Sequence, residues 1–372
     1  MSEFNDTTIT QLWETLHAMP EPAFHEFKTS AFLAQELVKA GFSVQTNVGG
    51  TGVIGVLDSG HPGPVVGLRS DMDCLLFKQD DGSQKPIHAC GHDGHMAIVL
   101  TTAQRLAKQG IKYGKLKIIF QPAEEIGAGA KALLDEGVLD DVDFLFGLHL
   151  MPKSMAHLGE VIPCVRWTAC HLLTASIEGR AAHGSRPHEG INAIDVGATI
   201  ISAVNAIHMD PLSGWSVKPT RFIAGASSVN TICDKAEVSF DLRSLSNKDM
   251  LVLVAKVSNI IETTAQMYGA KAKVEIIGTC PASVINEEML ALTKEAIVAE
   301  LDSGAVLPNK TTTVGEDFNF YPLEKPNIKT AFFGLGANLV PGLHDPNMHF
   351  DHKALMLGSN ILLRMVNQTL KL

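Results

Sequence analysis

Apolar residues recur at helical spacing through residues 30–39, where Phe32, Leu33, Leu37 and Val38 precede a stop at Gly41. Short apolar runs follow at 42–48, 53–57 and 65–68. They are separated by Gly49-Gly50, Gly60 and Pro62-Gly63, a pattern that predicts strands joined by turns. The spacing then predicts a helix over 96–108, a strand over 116–120, a helix over 128–136 and a buried strand over 144–150. Strand and helix alternate, which argues for a sheet covered by helices.

The texture changes near residue 165. A strand is expected at 172–178, a helix at 192–208, strands at 216–222 and 236–242, a helix at 248–268 and a strand at 273–277. This β-α-β-β-α-β order matches a ferredoxin-like module set into the chain. From Pro281 the alternation resumes and ends in a helix over 353–370. The expectation is an α/β protein of two domains. Residues 1–164 and 280–372 form the first, and 165–279 form an inserted α+β domain.

Length agrees, since 372 residues exceed what one hydrophobic core usually serves. A formal charge of −10 disfavours nucleic acid or an anionic membrane as partner, because both call for a basic face. No apolar stretch reaches the ~18 residues of a membrane span. The segment Met1-Ser2-Glu3-Phe4-Asn5-Asp6 lacks a basic stretch followed by an apolar run, so a cytoplasmic location is expected. The six cysteines are irregularly spaced and do not read as a disulfide framework.

The densest chemistry lies in His88-Ala89-Cys90-Gly91-His92-Asp93-Gly94-His95. Transition metals want neutral imidazole and thiolate donors, and a short loop gathers them readily. Cys90 and His92 are two apart, so an extended stretch would put them on one face. Asp93 is a candidate to orient a ligand imidazole from outside. Next comes Gln121-Pro122-Ala123-Glu124-Glu125, directly after a strand, at the end of which α/β sheets build sites. Of two adjacent carboxylates, one can bind a metal while the other stays free as a base. His149 ends the apolar run 144–148, and His344 lies in Gly342-Leu343-His344-Asp345-Pro346. Alone, His149 reads equally as a satisfied core histidine or as a ligand at a strand end, and His344 as an ordinary loop histidine. Together, these thiol, imidazole and carboxylate groups suffice for two metals.

The sequence resembles the metallopeptidase family of aminoacylases, hippurate hydrolase and auxin-conjugate amidohydrolases, over essentially its whole length. The segments that carry the resemblance occur in order. They are Pro20-Glu21-Pro22 with Phe24-His25-Glu26, then Leu68 to Asp73, His88 to His95, and Gln121 to Glu125. Gly147-Leu148-His149, Gly179 to His183, Gly315-Glu316-Asp317-Phe318 and Leu343-His344-Asp345-Pro346 follow. The resemblance implies that Cys90, His92, Glu125, His149 and His344 hold two divalent ions, of zinc, manganese, cobalt or nickel. It implies Glu124 as general base and acid, and His183 as the group that steadies the oxyanion. Asn230 and Arg243 resemble positions that bind the substrate carboxylate. The inserted domain would be a lid that dimerises. Two departures bear on substrate: Cys74-Leu75-Leu76 where many members have Ala-Leu-Pro, and Ala182 where glycine commonly precedes the histidine.

The implied activity is metal-dependent cleavage of the amide bond of an N-acyl amino acid by an activated water. The substrate is a small molecule and the enzyme a homodimer or higher homo-oligomer. Rival readings are a dipeptidase or another C–N hydrolase, acting on a carbamoyl or aromatic amine substrate through the same metal pair. A non-catalytic protein on a degenerate scaffold would have lost a ligand or the base. Nucleophilic catalysis by Cys90 would be indifferent to chelators.

Overall fold

The near-continuous apolar runs ending in Phe120 and Leu150 need cover on both faces, and they become central strands of a sheet. The computed structural model describes residues 4–371; Met1–Glu3 and Leu372, which the expected domain boundaries include, lie outside the described residues. In chain order the elements used below begin with α1 (Asp6–His17), α2 (Phe27–Lys39), β1 (Ser43–Val48), β2 (Gly52–Asp58) and β3 (Val65–Asp71). Then come α3 (His92–Gln109), β4 (Lys115–Gln121), α4 (Gly129–Asp135), β5 (Phe144–Pro152) and β6 (Val161–Ile162). The chain continues through β7 (Ala169–Glu178), α5 (Ala193–Asn205), β8 (Trp215–Ala224), β9 (Lys235–Ser244), α6 (Asn247–Met267) and β10 (Lys271–Cys280). It closes with α7 (Glu287–Glu300), β11 (Lys329–Leu339) and α8 (Lys353–Leu370).

These elements fall into two compact units. The first takes the described residues up to Val165, Val284–Lys310 and those from Asp317 onward; the second takes Arg166–Ser283 and Thr311–Glu316. The short return of Thr311–Glu316 to the second unit lies outside the stretch expected from sequence. Its cause is local, because Arg243 Nη1 donates to Thr313 O at 3.0 Å and Gly315 lies against Cys280 and Cys170.

The first unit is built on a seven-stranded sheet in the order β1-β2-β4-β3-β5-β11-β6. Its centre, β4-β3-β5-β11, is parallel, while β1, β2 and β6 pair antiparallel. Helix α3 is buried along most of its length, and the core gathers Met96, Leu100 and Leu106 with Leu68, Phe146, Leu335 and Leu362. Asn5 caps α1 by accepting from Thr7 N and Thr8 N, while the Thr8 hydroxyl accepts in return from Asn5 N.

The second unit has the order β7-α5-β8-β9-α6-β10, and its four strands are arranged β8-β9-β7-β10, all neighbours antiparallel. Alternation along β7 sends Ala169, Leu173, Ala175 and Ile177 into a core shared with Val196, Ile200, Leu253 and Val257 of the two helices. Among the described residues, no helix is long and apolar enough to cross a membrane.

Candidate metal centre

Because β4, β3 and β5 are parallel neighbours, residues at their C-terminal ends emerge along one sheet edge. Asp71 ends β3, Gln121 ends β4 just before Pro122–Glu125, and His149 lies near the end of β5. The fourth segment enters by a turn. Gly91 has φ +93°, and a side chain there would also crowd Leu150 at 3.3 Å, so glycine is needed on both counts. His92 then opens α3. Cys90 and His92 therefore do not share a face of an extended stretch; they approach one place from two sides of a left-handed turn. His344 is itself at φ +63°, and its N–H donates to Ala89 O at 2.7 Å, tying its loop to the one that carries Cys90.

Donor atoms converge here. Cys90 Sγ lies 3.5 Å from His149 Nε2, and His344 Nε2 lies 3.4 Å from Glu125 Oε2. His92 Nε2 is 3.8 Å from Glu125 Oε1 and 3.9 Å from Glu124 Oε2. Among the overlapping triplets whose ligand atoms lie within 4.8 Å of one another are Cys90, His92, His149; Cys90, Glu125, His344; and His92, Glu124, Glu125. Both His92 Nε2 and Glu125 Oε1 are buried with no hydrogen-bond partner. Buried polar atoms are rarely left so, and divalent cations would supply what these lack.

Surrounding groups set the ring tautomers. His92 Nδ1 faces Asp73 O at 2.9 Å and His149 Nδ1 faces Leu150 O at 2.6 Å. A carbonyl can only accept, so each Nδ1 carries hydrogen and each Nε2 is the ring atom turned to the cluster. His95 is committed elsewhere. Its Nε2 accepts the Leu150 N–H at 2.9 Å and its Nδ1 donates to Asp71 Oδ1 at 2.7 Å.

Burial pushes the Cys90 thiol well up, with Glu125 adding to the effect. Burial likewise pushes Glu125 up to about 7, although His92 opposes it. His149 is held well down by burial and by His95. The thiol and the carboxyl thus retain protons that a bound cation would displace, as metal binding to protonated ligands requires. A raised thiol also argues against Cys90 as a free nucleophile.

Asp93 does not orient a ligand imidazole. Its Oδ2 accepts from Trp13 Nε1 at 2.9 Å and from His17 Nδ1 at 2.6 Å, and its Oδ1 accepts from Gly94 N at 2.9 Å. The groups that brace the cluster are Asp73, whose Oδ2 accepts the Glu125 N–H at 3.0 Å, and Asp71 through His95. Glu26 is a further one. It is fully buried, accepts the Ala123 N–H at 2.9 Å on Oε1 and the Thr51 hydroxyl at 2.5 Å on Oε2. Ala123 needs that anchor, because it sits at φ +54° immediately before the two carboxylates. Glu124 Oε1 accepts from Asp317 N at 3.4 Å. The sequence signal for Asp71, Asp73 and Glu26 was their place in the family segments; nothing in it assigned them a task.

His183, Asn230 and Arg243 belong to the second unit. His183 and Asn230 are neighbours there, since Gly184 N donates to Asn230 O at 2.6 Å. His183 Nδ1 accepts from Ser185 N and lies 2.7 Å from its hydroxyl, which leaves Nε2 as the protonated nitrogen. Arg243 is engaged by its own strand: Nε and Nη2 donate to the two oxygens of Asp241 at 2.7 and 3.0 Å.

The family model described as Peptidase family M20/M25/M40 matches residues 67–368. Hippurate hydrolase of Campylobacter jejuni is 29% identical, over 96% of this chain and 95% of its own length. N-acetyl-L-cysteine deacetylase of Bacillus subtilis is 30% identical, over 93% of this chain and 84% of its own. Among solved structures, the Bacillus subtilis YXEP protein, a dinuclear metal binding peptidase, aligns with a TM-score of 0.82 at 26% identity, covering 98% of each chain.

Proposed function

This chain belongs to peptidase family M20/M25/M40 and is a hydrolase of amide bonds; from that premise we propose that it deacylates N-acyl amino acids with two divalent cations held by Cys90, His92, Glu125, His149 and His344. One observation carries the metal reading. Donors from four segments converge in overlapping triplets, and two of their buried atoms, His92 Nε2 and Glu125 Oε1, have no hydrogen-bond partner. Cations bound there would polarise the scissile carbonyl and make a water acidic enough to attack near neutrality.

Glu124 is the group left to move protons. It would take one from the attacking water and return it to the leaving nitrogen. In the second unit, read as a ferredoxin-like lid and dimerisation domain, His183 would donate its Nε2 hydrogen to the developing oxyanion. The relatives named for hippurate and for N-acetyl-L-cysteine support an N-acyl amino acid as the substrate.

The test compares Glu124→Gln with Glu125→Gln. Glu124→Gln is expected to keep its metal and lose about 10²–10⁴ in turnover, whereas Glu125→Gln should lose metal as well. Full activity of Glu124→Gln would end the assignment. A panel of N-acetyl and N-benzoyl amino acids, dipeptides and carbamoyl amino acids, each with zinc, manganese, cobalt or nickel restored after chelation, fixes the substrate class. Preference for dipeptides would replace the N-acyl reading. His183→Ala should lower turnover at unchanged metal content.

A further inference from the structure

The second unit carries a chemistry that hydrolysis does not use. Its sheet has a helix-covered face and an opposite one, and Cys170, adjacent in sequence to core-facing Ala169, falls on the opposite face. Across the strands, Ser216 pairs with Arg243, Arg243 with Cys170, and Cys170 with Cys280. Directly opposite residues of antiparallel strands stand about 4.5 or 5.5 Å apart at Cα, with side chains on one face. Both spacings fall inside the roughly 4.4–6.8 Å that a disulfide bridges. Both cysteines are half-buried, within reach of a small oxidant. Cys280 is the last residue of β10 and Pro281 follows, so the strand end can adjust without breaking a ladder.

We propose that Cys170 and Cys280 form a reversible cross-strand disulfide, closed by a hydroperoxide and reopened by a dithiol reductant. In the first step one sulfur, as thiolate, attacks a peroxide oxygen. The O–O bond breaks, a sulfenic acid forms, and the other oxygen departs with a proton as an alcohol or water. The second thiol then attacks the sulfenic sulfur, forming the S–S bond and expelling the sulfenic oxygen as water. Two electrons pass from the sulfur pair to the peroxide, and both thiol protons leave in the products.

Cross-strand pairing and partial exposure set this pair apart from Cys74 and Cys233, which are buried. Burial pushes the Cys170 thiol up and Asp241 adds to the effect, while Arg243 beside it opposes both. Cys74 is pushed to about 12 by burial, and Cys233 is buried with its thiol donating to Lys235 O at 3.0 Å. Gly315 rests on the pair. A Cβ there would stand 2.9 Å from Cys280 Cβ, 3.3 Å from its Sγ and 3.7 Å from Cys170 Cβ. Closing the bond would fix the floor beneath residues 311–316, which Arg243 already holds through Thr313 O.

The test uses the full chain with its metals in place. It is exposed to equimolar hydrogen peroxide, alkylated, digested and analysed by mass. The expected product is a Cys170–Cys280 cross-linked peptide, lighter by two hydrogens than its separate halves and abolished by dithiothreitol. In Cys280→Ser the cross-link should vanish and Cys170 should be recovered alkylated or singly oxidised; Cys170→Ser serves as the reciprocal control. Recovery of both cysteines alkylated, or of each as a separate sulfinic acid, at doses that oxidise other thiols would overturn the proposal. The wild-type measurement stands even where a variant folds poorly.

Discussion

Arg69 Nη1 and Asp71 Oδ2 lie 2.7 Å apart with both side chains closed off from solvent. The two residues alternate along β3 onto the same face, and the arginine continues to Asp317 Oδ1 at 2.8 Å and Gln121 Oε1 at 2.9 Å. Burial alone would raise the Asp71 carboxyl; His92, His95 and Arg69 together hold it well below the usual carboxylate range. The same carboxylate anchors His95, so a buried ionic chain runs from Asp317 to the backbone of β5.

Arg69→Leu would leave Asp71 and Asp317 facing each other across a buried space without their shared cation. A loss of about 3–5 kcal/mol is expected, because removing one member of a buried pair strands the other charge. Urea denaturation measures it. A loss below about 1 kcal/mol would mean that water or a proton substitutes freely for the guanidinium.

How much of this was visible in the residues depends on distance along the chain. The parallel strands around residues 116–120 and 144–150 were legible because both faces are apolar. Helix α1 was not, since its capping box closes through Thr8 in place of the usual Glu or Gln. The hairpin Leu75–Lys78 with Gln84–Ile87 has strands of only four residues, too short for a period to register. At the site, the concentration of donors from His88 to His95 was visible because it is local. The bond from Ala123 to Glu26 joins residues 97 apart, and Arg69 meets Asp317 across 248. No spacing rule reaches that far. The backbone between Cys90 and His92 was misread as extended because periodicity does not report a left-handed glycine.

Glu26 makes a sharper case. Glu26→Gln keeps an acceptor for the Ala123 N–H and a partner for Thr51, and it removes a charge that burial already disfavours. Glu26→Ala leaves that N–H buried and unpaired beside a backbone at φ +54°, at a loss of about 1–3 kcal/mol. The glutamine variant should therefore retain most turnover and stability, and the alanine variant should lose both. Equal behaviour of the two, in kcat and in thermal midpoint, would show that the carboxylate does not hold the turn.

The contact between His17 and Asp93 predicts a pH dependence. The hydrogen bond to Asp93 raises His17 above its ordinary 6.5, against partial burial. The groups around it are Trp13, His88 and His352, which bring no further negative charge. A raised histidine stabilises fully below the unfolded value of 6.5, and the contribution fades as pH rises through the folded one. Asp93 is lowered from 3.8, burial being outweighed by His17 and other partners, so its share is present above that value and fades on acidification. The gap in thermal midpoint between wild type and His17→Asn should be widest between those limits and narrow as pH rises above 6.5 through the raised folded value. A gap independent of pH would reduce the contact to packing.

Asp73 links metal removal to the residues behind the cluster. Its Oδ2 accepts the Glu125 N–H at 3.0 Å, its Oδ1 stands 3.3 Å from His92 Nδ1, and its carbonyl holds that same ring nitrogen at 2.9 Å. Enzyme stripped by a chelator should melt lower than loaded enzyme, and zinc or manganese should raise the midpoint in proportion to the logarithm of concentration. At a hundredfold excess over Kd the gain is about 2.7 kcal/mol. Asp73→Asn places an amide nitrogen where one of these N–H groups needs an acceptor, so it should weaken metal binding by about 10–100-fold. Its melting curve should then need a correspondingly higher metal concentration to reach the same midpoint, while the stripped forms of variant and wild type melt closer together. If the concentration dependence of the variant overlays that of the wild type, Asp73 supports the fold and has no part in orienting Glu125 and His92.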